Sequence, residues 1–413
     1  MNARIVSALA TCAVAATAAA RPEFVLPETI YAAPGVECNI YYANVFDSCT
    51  PERWAFQTYA KRGTSWKDRW SWKPSRGEGG RSYKLVINAW SDDSDMPISA
   101  TTTVQVANLA HCTTNRVALA LFGDSLTGCG YQDQLMREVR KAGWKGYVPV
   151  GTRRLSDDGA LHDGYGGWSY NSYLKEFMLG KDEYANVQDE AEREQLKALG
   201  VPVAKLESWQ TDLRRSPLLV MKDGKIVLDA APWLKRINGG KAPDYLFVLL
   251  GINATWWTKG TRAEVEADTW KTIYSREDNE LTPFYREVRK ALPETTILLA
   301  STPLGCDQNG FAANYGSDWN WVQQRKNTFA LNKCLERFVR ERNDPKLVFV
   351  GTAQGVDPYY GYMRRTQKVN ARSAATAEVC CNAVHPAAEG GLQLGDVAAA
   401  AVLFQLGKDA NGK

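Results

Sequence analysis

Four short stretches of this 413-residue chain contain side chains that, brought together, could carry out acyl transfer: "FGDSLT" (122–127), "HDGYGGWSY" (162–170), "GIN" (251–253) and "NAVHP" (382–386). A serine hydroxyl becomes a nucleophile when a neighbouring base takes its proton, and the tetrahedral oxyanion that follows needs fixed N–H donors. Ser125 offers the hydroxyl and His385, one of three histidines in the chain, offers the base. The glycine loop around Gly167 and the amide of Asn253 offer donors. Taken singly, each has a plainer reading: a serine in a turn caps it, a glycine loop turns the chain, and a lone histidine is more often structural than catalytic. No spacing of Cys, His, Asp or Glu resembles a metal site, so the sequence is read as needing neither metal nor cofactor.

The elements around these stretches decide whether they can meet. "VALALF" (117–122), "YVPV" (147–150), "YLFVLL" (245–250), "TILLAS" (296–301) and "LVFV" (347–350) read as about five buried strands. Amphipathic stretches fall between them, including "YQDQLMREVRKAG", with Leu135 and Val139 on one face, and "TFALNKCLERFVRER". "DVAAAAVLFQL" reads as a closing helix. This alternation predicts a parallel sheet covered by helices. In such sheets ligands bind beyond the carboxyl ends of the strands. Ser125, the glycine loop and Asn253 each follow a predicted strand, and His385 precedes the last helix, so all four are placed at one edge. Residues from about 170 to 243 break the alternation and read as an insertion, with a charged helix near "DEAEREQLKALG" and a hairpin turn at Asp223-Gly224. Before residue 110 the rhythm is different: short alternating or aromatic runs predict a small β-sandwich, with tryptophans 54, 66, 70, 72 and 90 filling its core rather than binding ligand.

In this order the four stretches resemble the sequence blocks of the SGNH, or GDSL, hydrolase superfamily. The resemblance spans residues 122–386 and leaves out the β-region. It implies an α/β fold with a three-layer flavodoxin-like parallel sheet of about five strands, here preceded by the β-sandwich. It also implies Ser125 as nucleophile and His385 as base, with the backbone N–H groups of Ser125 and Gly167 and the Asn253 side chain as the oxyanion hole. An N-terminal β-domain before such a catalytic domain is similar to exported bacterial members that remove acyl groups, often acetyl, from polysaccharides. Two positions depart from the family pattern: Ala254 stands where an aspartate is usual, and Asn382 stands where the acid that orients the histidine is usual. An asparagine can orient an imidazole through its carbonyl oxygen but supplies no negative charge. The sequence therefore leaves Asn382 as the orienting group, with Glu378 or Asp396 as rival acids. His162 is expected to contact substrate rather than act as base, and His111 lies near the domain junction. Trp168, Trp256 and Trp257, with Trp319 and Trp321 nearby, are expected to offer indole faces to a sugar.

The rest of the chain sets the context. "IVSALATCAVAATAAA", after Arg4, predicts a signal peptide over residues 1–20 and hence a secreted or periplasmic protein. The β-sandwich is then expected over 21–110 and the catalytic domain over 111–413. Of nine cysteines, Cys12 leaves with the signal, and the remaining eight in an exported chain argue for disulfides. At least one of the vicinal Cys380 and Cys381 is expected to bond elsewhere in the catalytic domain, since neighbours bond each other only with strain. Fifty basic against forty-six acidic residues, without a basic run, exclude nucleic acid as the natural partner. After the signal, no apolar run reaches membrane-span length. The expected partner is an acylated carbohydrate. The alternative is a decayed member of the superfamily that binds glycans without turning them over.

Overall fold

The structure, a computed structural model, describes residues 22–110, 112–177, 194, 197–198, 215–275, 280–316 and 319–411. The expected signal segment, His111 and the charged helix near 189–200 lie outside these residues or almost wholly so. Among the described residues, no helix is long and apolar enough to cross a membrane.

The β-region contains seven strands that matter for its packing: β1 (Thr29–Ala32), β2 (Cys38–Tyr41), β3 (Ala55–Ala60), β4 (Thr64–Ser65), β5 (Arg69–Trp72), β6 (Ser82–Ser91) and β7 (Ser94–Val106). They form a four-stranded sheet in the order β1-β7-β6-β3 and a three-stranded sheet in the order β2-β5-β4. Alternate residues of both sheets meet in one apolar core: Ile30, Leu85, Ile87 and Val104 from the first, Ile40, Trp70 and Trp72 from the second. Period-two burial of this kind is what two facing sheets require. Trp70 and Trp72 are core residues, whereas Trp66 is exposed and lies near the Arg69 guanidinium, 5.8 Å from ring centre to charge.

The second region is built on a parallel sheet of β8 (Val117–Gly123), β9 (Tyr147–Val150), β10 (Asp163–Gly164), β13 (Tyr245–Leu249), β14 (Thr296–Ala300) and β15 (Leu347–Val350). The main strands run in the order β9-β8-β13-β14-β15, with the short β10 paired to the end of β8. That is the 2-1-3-4-5 order of flavodoxin-like sheets, and the order reverses between β8 and β13. Side chains alternate between two cores. Leu119, Leu121, Phe247 and Leu298 pack under α1 (Tyr131–Lys141) and α7 (Ala388–Asn411). Ala120, Phe122, Val248 and Leu299 pack under α4 (Leu281–Ala291) and α6 (Trp321–Arg342). Both faces are thus covered, which explains why these strands read as continuous apolar runs. The predicted hairpin is present: β11 (Leu219–Lys222) and β12 (Lys225–Leu228) pair antiparallel across Asp223 and Gly224, both with positive φ. This matches the two-residue turn whose central positions Asp and Gly tolerate.

The two regions are joined through backbone carbonyls. The buried Arg325 guanidinium on α6 donates to Ser48 O at 3.0 Å and Phe46 O at 3.1 Å, and Asn44 Nδ2 donates to Ala353 O at 2.9 Å. Arg262 and Asp47 form an ion pair at 2.5 Å.

Candidate active site

Ser125 opens a 3-10 turn, Ser125–Cys129, directly after β8. The turn is fixed by Asp124, whose Oδ1 accepts the Leu126 N–H at 2.9 Å and whose backbone O accepts the Thr127 hydroxyl at 2.6 Å. Glycine is required beneath it. A Cβ on Gly123 would lie 2.5 Å from Thr127 Oγ1, so only a residue without one lets the turn pack against the strand end. Asp124 is buried, and its Oδ2 has no hydrogen-bond partner among the described residues. Burial pushes this carboxyl up to about 7. Its place is therefore structural, holding the turn that presents the serine.

His385 arrives from the other side of the sheet edge. A hairpin of β16 (Arg364–Lys368) and β17 (Thr376–Cys380) leads into residues 381–387, a strap that bends at Ala383–Val384 before α7. The strap is pinned at several points: Cys381 N–H to Met363 O at 2.8 Å, Ala387 N–H to Gly361 O at 2.8 Å, Ala383 N–H to Asn314 Oδ1 at 2.6 Å, and Cys306 N–H to Ala383 O at 2.9 Å. His385 Nε2 then lies 2.8 Å from Ser125 Oγ. Its other nitrogen, Nδ1, lies 3.3 Å from Asn382 Oδ1, an oxygen that also accepts the backbone N–H groups of His385 at 3.0 Å and Val384 at 3.3 Å. Two backbone donors identify the atom facing the ring as the amide oxygen, an acceptor. Nδ1 accordingly carries the ring proton, and the Nε2 lone pair faces the serine hydroxyl. Burial holds the His385 imidazole below its ordinary pKa, favouring the neutral ring that a base must be. The rival acids are engaged elsewhere: Glu378 is exposed and pairs with Arg364 at 3.7 Å, and Asp396 accepts from Gln134 Nε2 at 2.6 Å.

The remaining loops close around Ser125. A Cβ on Gly166 would lie 3.9 Å from Ser125 Cβ, and Gly167 beside it is left-handed, with φ +79°. Asn253 sits in a short helical turn, Ile252–Thr255, after β13, and its Nδ2 donates to Trp168 O at 2.8 Å. A primary amide has two N–H donors, so one remains beyond that bond. The structure thus gathers Ser125, Gly166–Gly167, Asn253 and the His385 strap at the β8/β13 switch point.

Two expected substrate contacts lie elsewhere than an exposed surface. The Trp168 ring is buried, stacked on Tyr165 at 4.0 Å and edge-on to Tyr173 at 4.9 Å; its carbonyl, not its indole, reaches the site by holding Asn253. His162 is buried too, and its Nδ1 accepts the Gly164 N–H at 3.1 Å. Trp256 is half-buried over Phe311, while Trp257 is 74% exposed and packs against Trp319 at 4.8 Å. Trp256, Trp319 and Trp321 cover a small apolar core made by Ile252, Ala383 and Val384, residues that flank Asn253 and His385. Two supporting residues escaped sequence reasoning. The Tyr173 hydroxyl bonds the Gly123 N–H at 2.9 Å, and the Asp163 carboxylate accepts Trp233 Nε1 at 3.0 Å; no short-range pattern marks either. The 360 Å³ cavity lined by Leu26, Glu266, Lys333 and Arg337 includes none of the site residues.

No protein-family model and no curated protein matches the chain. Among solved structures, it is similar to phospholipase A1 from Streptomyces albidoflavus NA297, with 12% identity and a TM-score of 0.31, covering 68% of this chain and 98% of that one. It is also similar to an extracellular lipase from Streptomyces rimosus (10% identity, TM-score 0.28, 67% of this chain and 97% of that one). A peptidoglycan O-acetylesterase matches at 10% identity and a TM-score of 0.30, covering 74% of this chain and 94% of that one. These are distant likenesses, and the functional reading rests on the site itself.

Proposed function

We propose that this protein is an exported serine esterase of the SGNH type that removes short acyl groups, acetyl foremost, from a carbohydrate through an acyl-Ser125 intermediate. The observation that carries the reading is the 2.8 Å contact between His385 Nε2 and Ser125 Oγ, with the ring proton on the opposite nitrogen. His385 takes the hydroxyl proton as Ser125 Oγ attacks the ester carbonyl, and the resulting imidazolium protonates the leaving sugar oxygen. Water then repeats the cycle on the acyl-enzyme. The oxyanion is assigned to the backbone N–H groups of Ser125 and Gly167 and to the Asn253 amide. The exposed Trp257 face beside Trp319 supports a sugar as the alcohol portion, since indoles stack on flat apolar ring faces.

The test is acetate release from a panel of acetylated polysaccharides, with a serine-directed phosphonate as active-site label. Release that disappears in Ser125→Ala, with label on Ser125 of the wild type, is the expected outcome. Hydrolysis undiminished in Ser125→Ala would overturn the mechanism. A second reading is favoured by the neutral Asn382 at the acid position: a decayed hydrolase that retains glycan binding. Binding of those polysaccharides without release or phosphonate labelling would establish it.

A further inference from the structure

We propose that Cys306 and Cys380 are the partners of a disulfide that clamps the His385 strap to the loop after β14. All eight described cysteines are free thiols in the structure. Cys306 Sγ and Cys380 Sγ nevertheless lie within 4.8 Å of each other, on segments that run side by side. The Cys306 N–H donates to Ala383 O at 2.9 Å, and Gly305 approaches the same carbonyl so closely that a Cβ would sit 2.6 Å from it. The two segments are therefore held against each other beside the paired sulfurs, which need only a short further approach to bond. Cys381 is not the partner: consecutive residues of an extended strand point to opposite sides, and its N–H is bound to Met363 on the neighbouring strand.

The surroundings favour a bridge over a metal. The Asp307 carboxylate completes a three-residue cluster with the two sulfurs, yet Asp307 Oδ1 already caps α5 (Gln308–Tyr315) by accepting the Asn309 N–H at 2.9 Å and the Gly310 N–H at 3.4 Å. Two thiolates are too few for a closed site, and the carboxylate that would join them is already engaged in the cap. Arg364 Nη1 lies 3.6 Å from Cys380 Sγ, a cation placed to favour the thiolate that begins exchange. Cys380 S⁻ attacks a disulfide donor, an oxidised dithiol oxidoreductase or glutathione disulfide, and displaces one donor sulfur as thiolate. Cys306 then loses its proton and attacks the Cys380 sulfur, releasing the second donor thiolate. Two protons and two electrons leave the pair, and the donor is reduced to two thiols. Because both sulfurs are buried, the exchange belongs to folding, before this edge closes.

The clamp would act two residues before Asn382, fixing the strap in which Asn382 orients the His385 ring that faces Ser125. The test is independent of catalysis. The full chain is folded with oxidised and reduced glutathione, its free thiols are alkylated, and unreduced peptides are mapped by mass spectrometry. A Cys306–Cys380 link present in wild type and Cys381→Ser but missing in Cys380→Ser is expected. Amide exchange over residues 381–387 should be slower in the linked protein than after reduction. Alkylation of both thiols, a link from Cys306 to Cys381, zinc retained at one equivalent per chain, or identical exchange in linked and reduced protein would each overturn the proposal. Absence of any esterase activity alongside the mapped link would count against the function proposed above and not against the clamp.

Discussion

Asn253 Nδ2 donates to Trp168 O at 2.8 Å, so the amide after one strand is held by the carbonyl of the glycine-loop tryptophan, while the indole of that tryptophan is buried behind the site. The loop that carries Gly167 and the residue assigned as side-chain oxyanion donor are therefore a single assembly. Disturbing either should disturb the other.

Asn253→Ala removes the donor and its bond to the Trp168 carbonyl but empties no buried site, so turnover should fall about 10²- to 10³-fold with little loss of stability. Trp168→Ala should behave differently. It empties a buried site between Tyr165 and Tyr173, costing about 3–5 kcal/mol by analogy with other large-to-small core changes. Urea unfolding alongside steady-state kinetics separates the two, and an Asn253→Ala enzyme with near-normal turnover would remove Asn253 from the oxyanion hole.

The pH dependence follows from the burial of His385. The base must be neutral, and desolvation holds its pKa below the ordinary 6.5. The rate kcat/KM should accordingly stay level as pH falls to 6.5 and decline only below it, as the folded-state pKa is passed. The unfolded chain takes up that proton at higher pH than the folded one, so the contribution to stability is full above 6.5 and is lost as pH falls through the folded value. A rate profile with its acid limb centred above 6.5 would contradict this assignment.

Asp124 gives the opposite slope. Burial raises its folded pKa to about 7 from an ordinary 3.8, so the folded chain holds a proton that the unfolded chain has released. Stability from this group is present below about pH 4 and is lost as pH rises through about 7. Asp124→Asn keeps an oxygen for the Leu126 N–H, removes the ionisation, and should raise the melting temperature more at pH 8 than at pH 5. Equal shifts at both would show that Asp124 does not titrate in this range.

The sequence was legible where burial on both sheet faces made strands continuous apolar runs: Val117–Gly123 and Tyr245–Leu249 are nearly the predicted segments, and their ends placed Ser125 and Asn253. The hairpin of β16 and β17 gives little signal in the sequence because it is mostly exposed: "RRTQK" is polar throughout, and the alternation in "TAEVC" is only five residues long. Its role is positional, delivering Cys380 and the strap. Sequence spacing also could not separate Trp168 from Trp257. Both follow strands in loops, and only packing against Tyr165 and Tyr173 turns one inward while the other stays exposed.

The last prediction concerns the neutral residue behind the base. Asn382 Oδ1 accepts from His385 Nδ1 at 3.3 Å and from the His385 backbone N–H at 3.0 Å, so the imidazole is oriented without a negative charge to stabilise its protonated form. In an acid-containing triad that charge offsets the imidazolium formed as serine attacks; in the serine protease used as the general template, aspartate to asparagine costs about 10⁴-fold, chiefly through the wrong tautomer. Here the oxygen faces the ring and the tautomer is right, so only the electrostatic part is missing. Asn382→Asp retains an acceptor in the same place and adds the charge. It should raise kcat/KM by about tenfold or more, equivalent to roughly 1.4 kcal/mol at the transition state, and move the acid limb of the pH profile upward, because a carboxylate favours the imidazolium. Glu378→Gln and Asp396→Asn should change little, since these carboxylates face Arg364 and Gln134. Loss of most activity in either, with no gain in Asn382→Asp, would transfer the orienting role to that carboxylate.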